Sequence, residues 1–576
     1  MKGPAGYRVP ACIFLLTVAG ALQAWTASST EDKPDVLLST MQAELQRAQT
    51  SLGKLDPAPY FLSYSVYDES LAVAFGSQGG LVNSTRARRR TAQVTMRIGT
   101  AALDNSHGTN RASANTDGAL PLEDDRDAIA HELWRLTYEE YRKASKAYLN
   151  VKTNSQVQAQ EEDTSPDFSQ EKPPTHTDYR EVAANPDQRA LEKMVREYSA
   201  YFGQYPYIYS SGAVVTAQKT RFHFLSTEGN HIVAPSAFIR VAIYAETRAE
   251  DGMELMRFET FQAESLEHLP PEQEIAARVK KMATDLKALH DAPLAEPFDG
   301  PALLSGRAAG VFFHEVLGHR LEGHRQRGEQ EGQTFTKKVG QQILPEFLSV
   351  VDDPTLRTLN GSDLGGWYEY DDEGMSAARV EVIKNGVLKN FLMSRMPIRN
   401  FGNSNGHGRA QAGFVPTGRQ GNLIVSSSRT VRDSELREKL IEEVKKQGKP
   451  YGLYFEDIQG GFTITQRALP QAFQVLPVLV WRVYADGRPA ELVRGIDIVG
   501  TPLAALSRIL LTGEKQEIFN GICGAESGQV PVAAVAPAML LSEIEVQKRV
   551  HTLNRPPILP SPSAESRTSG QDAPHP

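Results

Sequence analysis

The chain has 576 residues, 40% of them hydrophobic, 23% charged and 8% aromatic, which excludes a collagen-like, coiled-coil or wholly disordered protein. Its length suits two or more domains with real cores. Lysine and arginine total 62 against 70 aspartate and glutamate, a net charge of −8 with no basic block, so nucleic acid is not an expected partner.

In chain order the first signal is one of targeting. Lys2 and Arg8 flank the start of an apolar run over 9–24, and Ala19-Gly20-Ala21 has a small-x-small cleavage pattern, with Ala24 a second candidate. Residues 1–24 read as a signal peptide, and the mature protein is expected to be exported, periplasmic or secreted. The run is short for a span of about 20 residues, and no later stretch is apolar enough to cross a bilayer, so no stable membrane span is expected after cleavage. Cleavage removes Cys12 and leaves Cys523 as the only thiol. In an oxidising compartment a lone thiol calls for burial, an intermolecular bridge or a metal.

Residues 25–295 are expected to form an N-terminal α/β domain. Apolar residues at helical spacing predict helices over 36–54, 127–148, 187–202 and 271–290. Strand-like runs occupy 213–233, turning near Glu228-Gly229-Asn230, and 238–261. Residues 154–178 are polar, acidic and proline-bearing, and read as a mobile insertion. The character changes near Pro297. An apolar helix is expected over 303–318, opening a β-rich C-terminal domain over 296–552. That domain carries a predicted hairpin over 379–393 turning at Asn385-Gly386 and strands over 475–499 turning at Asp486-Gly487. Helices are expected from 433 or 434 to 448, and from an N-cap at Thr501 through Pro502 to a stop at Gly513. Residues 553–576, rich in proline and serine, read as a disordered tail.

The chemistry concentrates in Val311-Phe312-Phe313-His314-Glu315-Val316-Leu317-Gly318-His319, which holds His-Glu-x-x-x-His. Neutral imidazoles are good zinc ligands, and a glutamate beside the first suits a general base for water activated at a metal. Ligands five residues apart stand about 140° apart around an ideal helix, so both cannot face one ion. The spacing therefore predicts that the helix widens, or ends so that His319 comes from its exit, with Gly318 easing the break. His131-Glu132 repeats the first half alone, being followed by Arg135 and Leu136 where a second ligand is needed. A catalytic site needs a third ligand and an open position. Glu322, His324, His407 and Cys523 are candidates by residue type. Coordination of Cys523, in Gly521-Ile522-Cys523-Gly524, would also account for a lone exported thiol.

Several segments in order resemble the TldD/PmbA family, the modulator of DNA gyrase peptidases. They are His314-Glu315-Val316-Leu317-Gly318-His319-Arg320-Leu321-Glu322-Gly323, Tyr370-Asp371-Asp372-Glu373-Gly374, the Asn385-Gly386 hairpin, Gly406-His407-Gly408-Arg409, Gly460-Gly461, and the stretch from Cys523-Gly524 to Val532. The match is close in the second half and loose in the first. It implies a TldD-like catalytic chain with His314, His319 and Cys523 as zinc ligands and Glu315 as general base. It also implies an α+β fold, an N-terminal α/β domain followed by a β-rich domain carrying the metal-binding helix. A dimer would enclose the site, either a homodimer or a heterodimer with a PmbA-type subunit, admitting short or unfolded peptides. The signal peptide, the 154–178 insertion and the proline-rich tail depart from the family pattern.

His407 and Arg409 are candidates for binding substrate or an oxyanion, against the plainer reading of a polar glycine-rich loop. His324 reads as a solvated polar residue, and Asp371-Asp372-Glu373 as a solvated turn rather than a calcium site. The leading expectation is an exported zinc metallopeptidase. The rivals are a non-catalytic exported binding or assembly subunit of the same fold, and a zinc hydrolase acting on a non-peptide bond.

Overall fold

The computed structural model describes residues 35–549 apart from 109–113, 156–162, 183–185, 329 and 470–471, together with residue 559. Residues 1–24, expected to be a signal peptide, lie outside the described residues, as does the tail expected over 553–576 except for residue 559. Helix α1 (Val36–Leu52) is capped by Asp35, whose carboxylate accepts the Leu38 N–H at 2.8 Å. An antiparallel hairpin follows, β1 (Pro59–Ser77) and β2 (Gly80–Thr100), then helices α2 (Arg126–Ser155) and α3 (Gln188–Ala200). Strands β3 (Ser210–Ser226), β4 (His231–Arg248) and β5 (Glu254–Ala263) and helix α4 (Glu272–Asp291) complete the first domain. The long strands pair antiparallel in the order β2-β1-β3-β4-β5.

Alternation along these strands gives the sheet two different faces. Ile239, Val241 and Ile243 of β4 are buried with Leu191 and Val195 of α3 and Val279, Met282 and Leu286 of α4. Leu62, Tyr64, Val94 and Met96 are buried in a second cluster with Met41 of α1 and Ile129, Leu133 and Leu136 of α2. On the opposite face, Arg240 of β4 and Phe258 and Thr260 of β5 form a wall that looks onto the second domain.

The second domain opens with β6 (Phe298–Leu304) and α5 (Gly306–Val316). Short strands β7 (Leu348–Asp352), β8 (Val380–Lys384) and β9 (Asn422–Ser427) and helix α6 (Leu436–Lys446) follow. Strands β10 (Tyr451–Thr463), β11 (Phe473–Tyr484) and β12 (Ile496–Gly500), helix α7 (Pro502–Ser507), and the hairpin β13 (Ile509–Ala525) and β14 (Gly528–Lys548) complete it. Successive pairings β14-β12-β11-β10-β6 return to β14, because β6 pairs with both β10 and β14.

Against this curved sheet lies α5. Ser305 caps it, its hydroxyl accepting the Ala308 N–H at 3.1 Å. Its apolar residues run all round the helix, as a buried helix requires. Val311, Phe312, Phe313 and Val316 share one core cluster with Phe455, Phe473, Val475 and Met539. Gly306 and Gly310 lie against β14: a Cβ on them would come within 2.7 Å of the Ala536 carbonyl oxygen and 3.0 Å of that of Ala534. Two glycines four residues apart therefore let the helix backbone settle on the strand. His314, the next position in that stripe, arrives beside the hairpin that carries Cys523. Between the domains, Arg257 of β5 bonds Asp457 of β10 at 2.6 Å, and Arg307 of α5 reaches the same carboxylate at 3.2 Å.

Three expectations change. Leu303 and Leu304 belong to β6, since their backbones pair with β10 and β14, so the apolar helix begins at Gly306 rather than 303. The helix expected through Gly513 stops at Ser507, because the chain from Ile509 joins the ladder with β14. Of the insertion expected to be mobile over 154–178, residues 156–162 lie outside the described residues, and 163–178 form a packed segment. Phe168 is buried with the Arg97 and Arg395 guanidinium groups each 3.9 Å from its ring centre, Asp167 bonds Arg327 at 2.9 Å, and Thr175–Thr177 pairs with β4.

Candidate metal centre

Helix α5 ends at Val316, and a tight turn over Gly318–Leu321 carries His319. Of the two ways to reconcile the five-residue spacing, the chain takes the exit. Gly318 serves this through space rather than backbone freedom. A Cβ there would overlap the Gln420 side chain at 1.9 Å, and Gln420 Nε2 in turn lies 3.4 Å from the His314 carbonyl oxygen.

This exit brings three donors together. His314 Nε2 lies 3.3 Å and His319 Nε2 3.4 Å from Cys523 Sγ, and the two rings stand nearly perpendicular with centres 4.9 Å apart. Nitrogen and sulfur bound to one tetrahedral zinc at ordinary bond lengths are separated by about 3.5 Å. The donor types and their spacing therefore fit that ion, with three protein ligands and room for a fourth position.

Neighbouring groups tune the donors. Glu322, fully buried, accepts from His319 Nδ1 at 3.0 Å, which orients the ring so that Nε2 would be the atom offered to an ion beside Cys523. Burial would raise the Glu322 carboxyl, but His319, Arg325 and Arg419 bring it down to about 2. Burial would likewise raise the Cys523 thiol, yet the imidazoles of His319 and His314 push it well below the ordinary value, toward the thiolate a metal needs. Arg419, also fully buried, donates to the Cys523 carbonyl oxygen at 2.9 Å and to Ser527 Oγ at 2.7 Å, and lies 3.5 Å from Glu322. It thus ties the supports of both His319 and Cys523 into one frame.

Glu315 shares the cleft with the triad. Burial raises its carboxyl above the ordinary glutamate value, against the opposing pull of His314 and His319. The cleft has a volume of about 600 Å3 and runs between the domains, with Arg240, Phe258 and Thr260 on one side and Gly461, Phe462 and Ile522 on the other.

His407 and Arg409 are not brought to the triad. His407 is fully buried, with Nδ1 3.0 Å from the Asn405 carbonyl oxygen and Nε2 3.3 Å from Asp352. Arg409 donates to the Gln420 carbonyl oxygen at 2.6 Å, stacks 4.6 Å above Tyr368 and lines a neighbouring cavity of about 590 Å3. His324 is buried and paired with Glu526 rather than solvated. It approaches Glu322 and Glu526 in a second donor cluster, but Arg325 bonds both carboxylates, at 2.7 and 2.9 Å, and already supplies the positive charge there. The Asp371 turn is also internal: the carboxylate is buried and accepts the backbone N–H of Glu373, Met375 and Gly408. Asp372 accepts from the Tyr67 hydroxyl at 2.9 Å and from the Ala410 N–H at 2.8 Å.

Residues 299–548 match the family model described as PmbA/TldA metallopeptidase C-terminal domain. A metalloprotease TldD homolog of Haemophilus influenzae is 29% identical over 250 residues, 43% of this chain and 48% of its own. A metalloprotease of Methanothermobacter thermautotrophicus is 28% identical over 325 residues, 54% of this chain and 64% of its own. A relative from Saccharolobus solfataricus named zinc metalloprotease TldD homolog is 26% identical over 249 residues, 43% of this chain and 51% of its own. The chain spans about half the length of the curated relatives it matches. Among solved structures, a Thermotoga maritima chain assigned as a modulator of a DNA gyrase superposes with a TM-score of 0.59 at 16% identity, covering 88% of this chain and 99% of that one. TldE from Thermococcus kodakarensis gives 0.58 at 13%, covering 88% and 100%. These likenesses establish the fold, which is α+β as the sequence leads one to expect.

Proposed function

We propose that this chain, matched over residues 299–548 by the PmbA/TldA metallopeptidase family model, is an exported zinc metallopeptidase acting on short or unfolded peptides. One observation carries the reading: His314 Nε2, His319 Nε2 and Cys523 Sγ converge in one interdomain cleft beside Glu315. His314, His319 and Cys523 would hold the ion. When bound, zinc supplies Lewis acidity, lowering the pKa of water and polarising a carbonyl. Glu315 takes a proton from the attacking water and returns it to the leaving amine. Glu322 fixes the His319 tautomer, and Arg419 holds the Cys523 turn in place.

Zinc as the metal rests on the donor set and on the name of the Saccharolobus relative. Export rests on the apolar N-terminal run. A second subunit, either another copy or a PmbA-type chain, is part of the proposal.

The test is cleavage of an unstructured peptide mixture by the zinc-loaded chain beside its Glu315→Gln variant. The expected result is turnover that falls by about 10²- to 10⁴-fold in the variant with zinc retained. Equal turnover in both removes Glu315 from the mechanism. Binding without turnover in the wild type favours the assembly-subunit reading.

A further inference from the structure

Arg240 stands on β4 between Thr216 of β3 and Gln262 of β5, on the sheet face that looks into the cleft. It lines both the cavity of the metal centre and the neighbouring cavity of about 590 Å3. Ile522, the residue before Cys523, is shared in the same way. The two cavities therefore meet at Arg240, within the space that holds the triad and Glu315.

Of the other arginines around these cavities, Arg409 is held by the Gln420 carbonyl oxygen and the Tyr368 ring, and the rest have acidic partners. Arg89 bonds Glu69 at 2.5 Å, Arg357 bonds Glu264, and Arg325 bonds Glu322 and Glu526. Arg240 instead donates to the neutral side-chain oxygen of Gln262 at 3.2 Å, and among the described residues it forms no ion pair. Burial pushes its guanidinium below the ordinary arginine value, and no neighbouring acid pulls it back. A partly buried cation without a counter-charge carries a desolvation cost that an arriving anion offsets. The planar guanidinium fork matches a carboxylate in particular, with two parallel N–H donors.

We propose that Arg240 anchors a carboxylate of the peptide substrate, either the chain terminus or an acidic side chain, where the two cavities meet. This deepens the peptidase reading and rests on it for the identity of the ligand as a peptide. The consequence is selectivity: peptides with a carboxylate in reach of Arg240 bind in preference to neutral ones.

The experiment measures binding by calorimetry to the zinc-loaded full chain carrying Glu315→Gln, so turnover plays no part. Three short peptides of one sequence are compared: a neutral C-terminal amide, the same peptide with a free C-terminal carboxylate, and the amide with one internal Glu. One of the two charged peptides should bind about 10- to 100-fold tighter than the neutral amide. Adding Arg240→Gln should close that gap, and Arg240→Lys should keep part of it. Which charged peptide gains identifies the source of the carboxylate. Equal affinity for all three, binding of none, or a gap that survives Arg240→Gln overturns the proposal. If the Gln variant does not fold, a full-sized gap in Arg240→Lys, with its single ammonium in place of the fork, counts against it. A clear gap in a protein that never cleaves peptide sinks the peptidase reading and leaves the anchor standing.

Discussion

Glu322 shows how one residue can order a site without joining it. Its carboxylate orients His319 and is held in turn by Arg325 and Arg419. Glu322→Gln keeps the shape and removes the charge, so metal affinity should fall by about 10- to 100-fold. Chelator competition reads this directly, and unchanged affinity would reduce Glu322 to a packing role. The two histidines and Glu315 were legible as a motif because coordination chemistry restricts ligands to a few side chains, whereas residue type alone left Glu322, His324, His407 and Cys523 open as the third ligand and the family resemblance singled out Cys523. Arg419 and Arg240 were not legible, since an arginine in a glycine-rich loop or on a mid-sheet position has no spacing signature. Their roles exist only once the fold brings Cys523, Glu322 and the cleft to them. His407 misled in the opposite direction. A histidine between glycines resembles a site residue, but a buried imidazole is equally satisfied by Asp352 and Asn405.

At the level of elements, α5 is the part on which the site depends. Gly306 lies where a Cβ would press on the Ala536 carbonyl oxygen and on the Glu517 side chain. Gly306→Ala should therefore destabilise the protein by about 1–3 kcal/mol from overpacking, although alanine favours a helix by about 1 kcal/mol. Denaturant unfolding measures the balance, and a stabilised variant would mean that α5 does not sit on β14 as described. Helices with one apolar stripe were readable: α3 and α4 start and end within two residues of expectation. The long hairpin β1–β2 was not readable. Arg86, Arg88, Arg89 and Arg90 break the alternation that marks a strand, and they are accommodated because Arg90 and Arg89 stand opposite Asp68 and Glu69 across the ladder. The 163–178 segment failed for a related reason: polar composition suggested mobility, while its single Phe168 found two guanidinium groups to pack between.

For the molecule as a whole, the metal centre is long-range structure. Cys523 is 209 residues from His314 in sequence, and only the ladder of β14 with β6 and the seating of α5 bring them within 3.3 Å. The cleft walls come from both domains, joined nearby through Arg257 and Asp457. The broad class could be read from composition and periodicity; the return of β6 to β14 could not, because strand pairing between distant segments leaves no local trace. A site assembled this way couples metal binding to the folded state. The most direct test is zinc content of the purified protein, wild type beside Cys523→Ala. About one zinc per chain is expected in the wild type, and its loss in the variant. A wild type that takes up no zinc, or a variant that keeps it, would contradict the His314, His319 and Cys523 site.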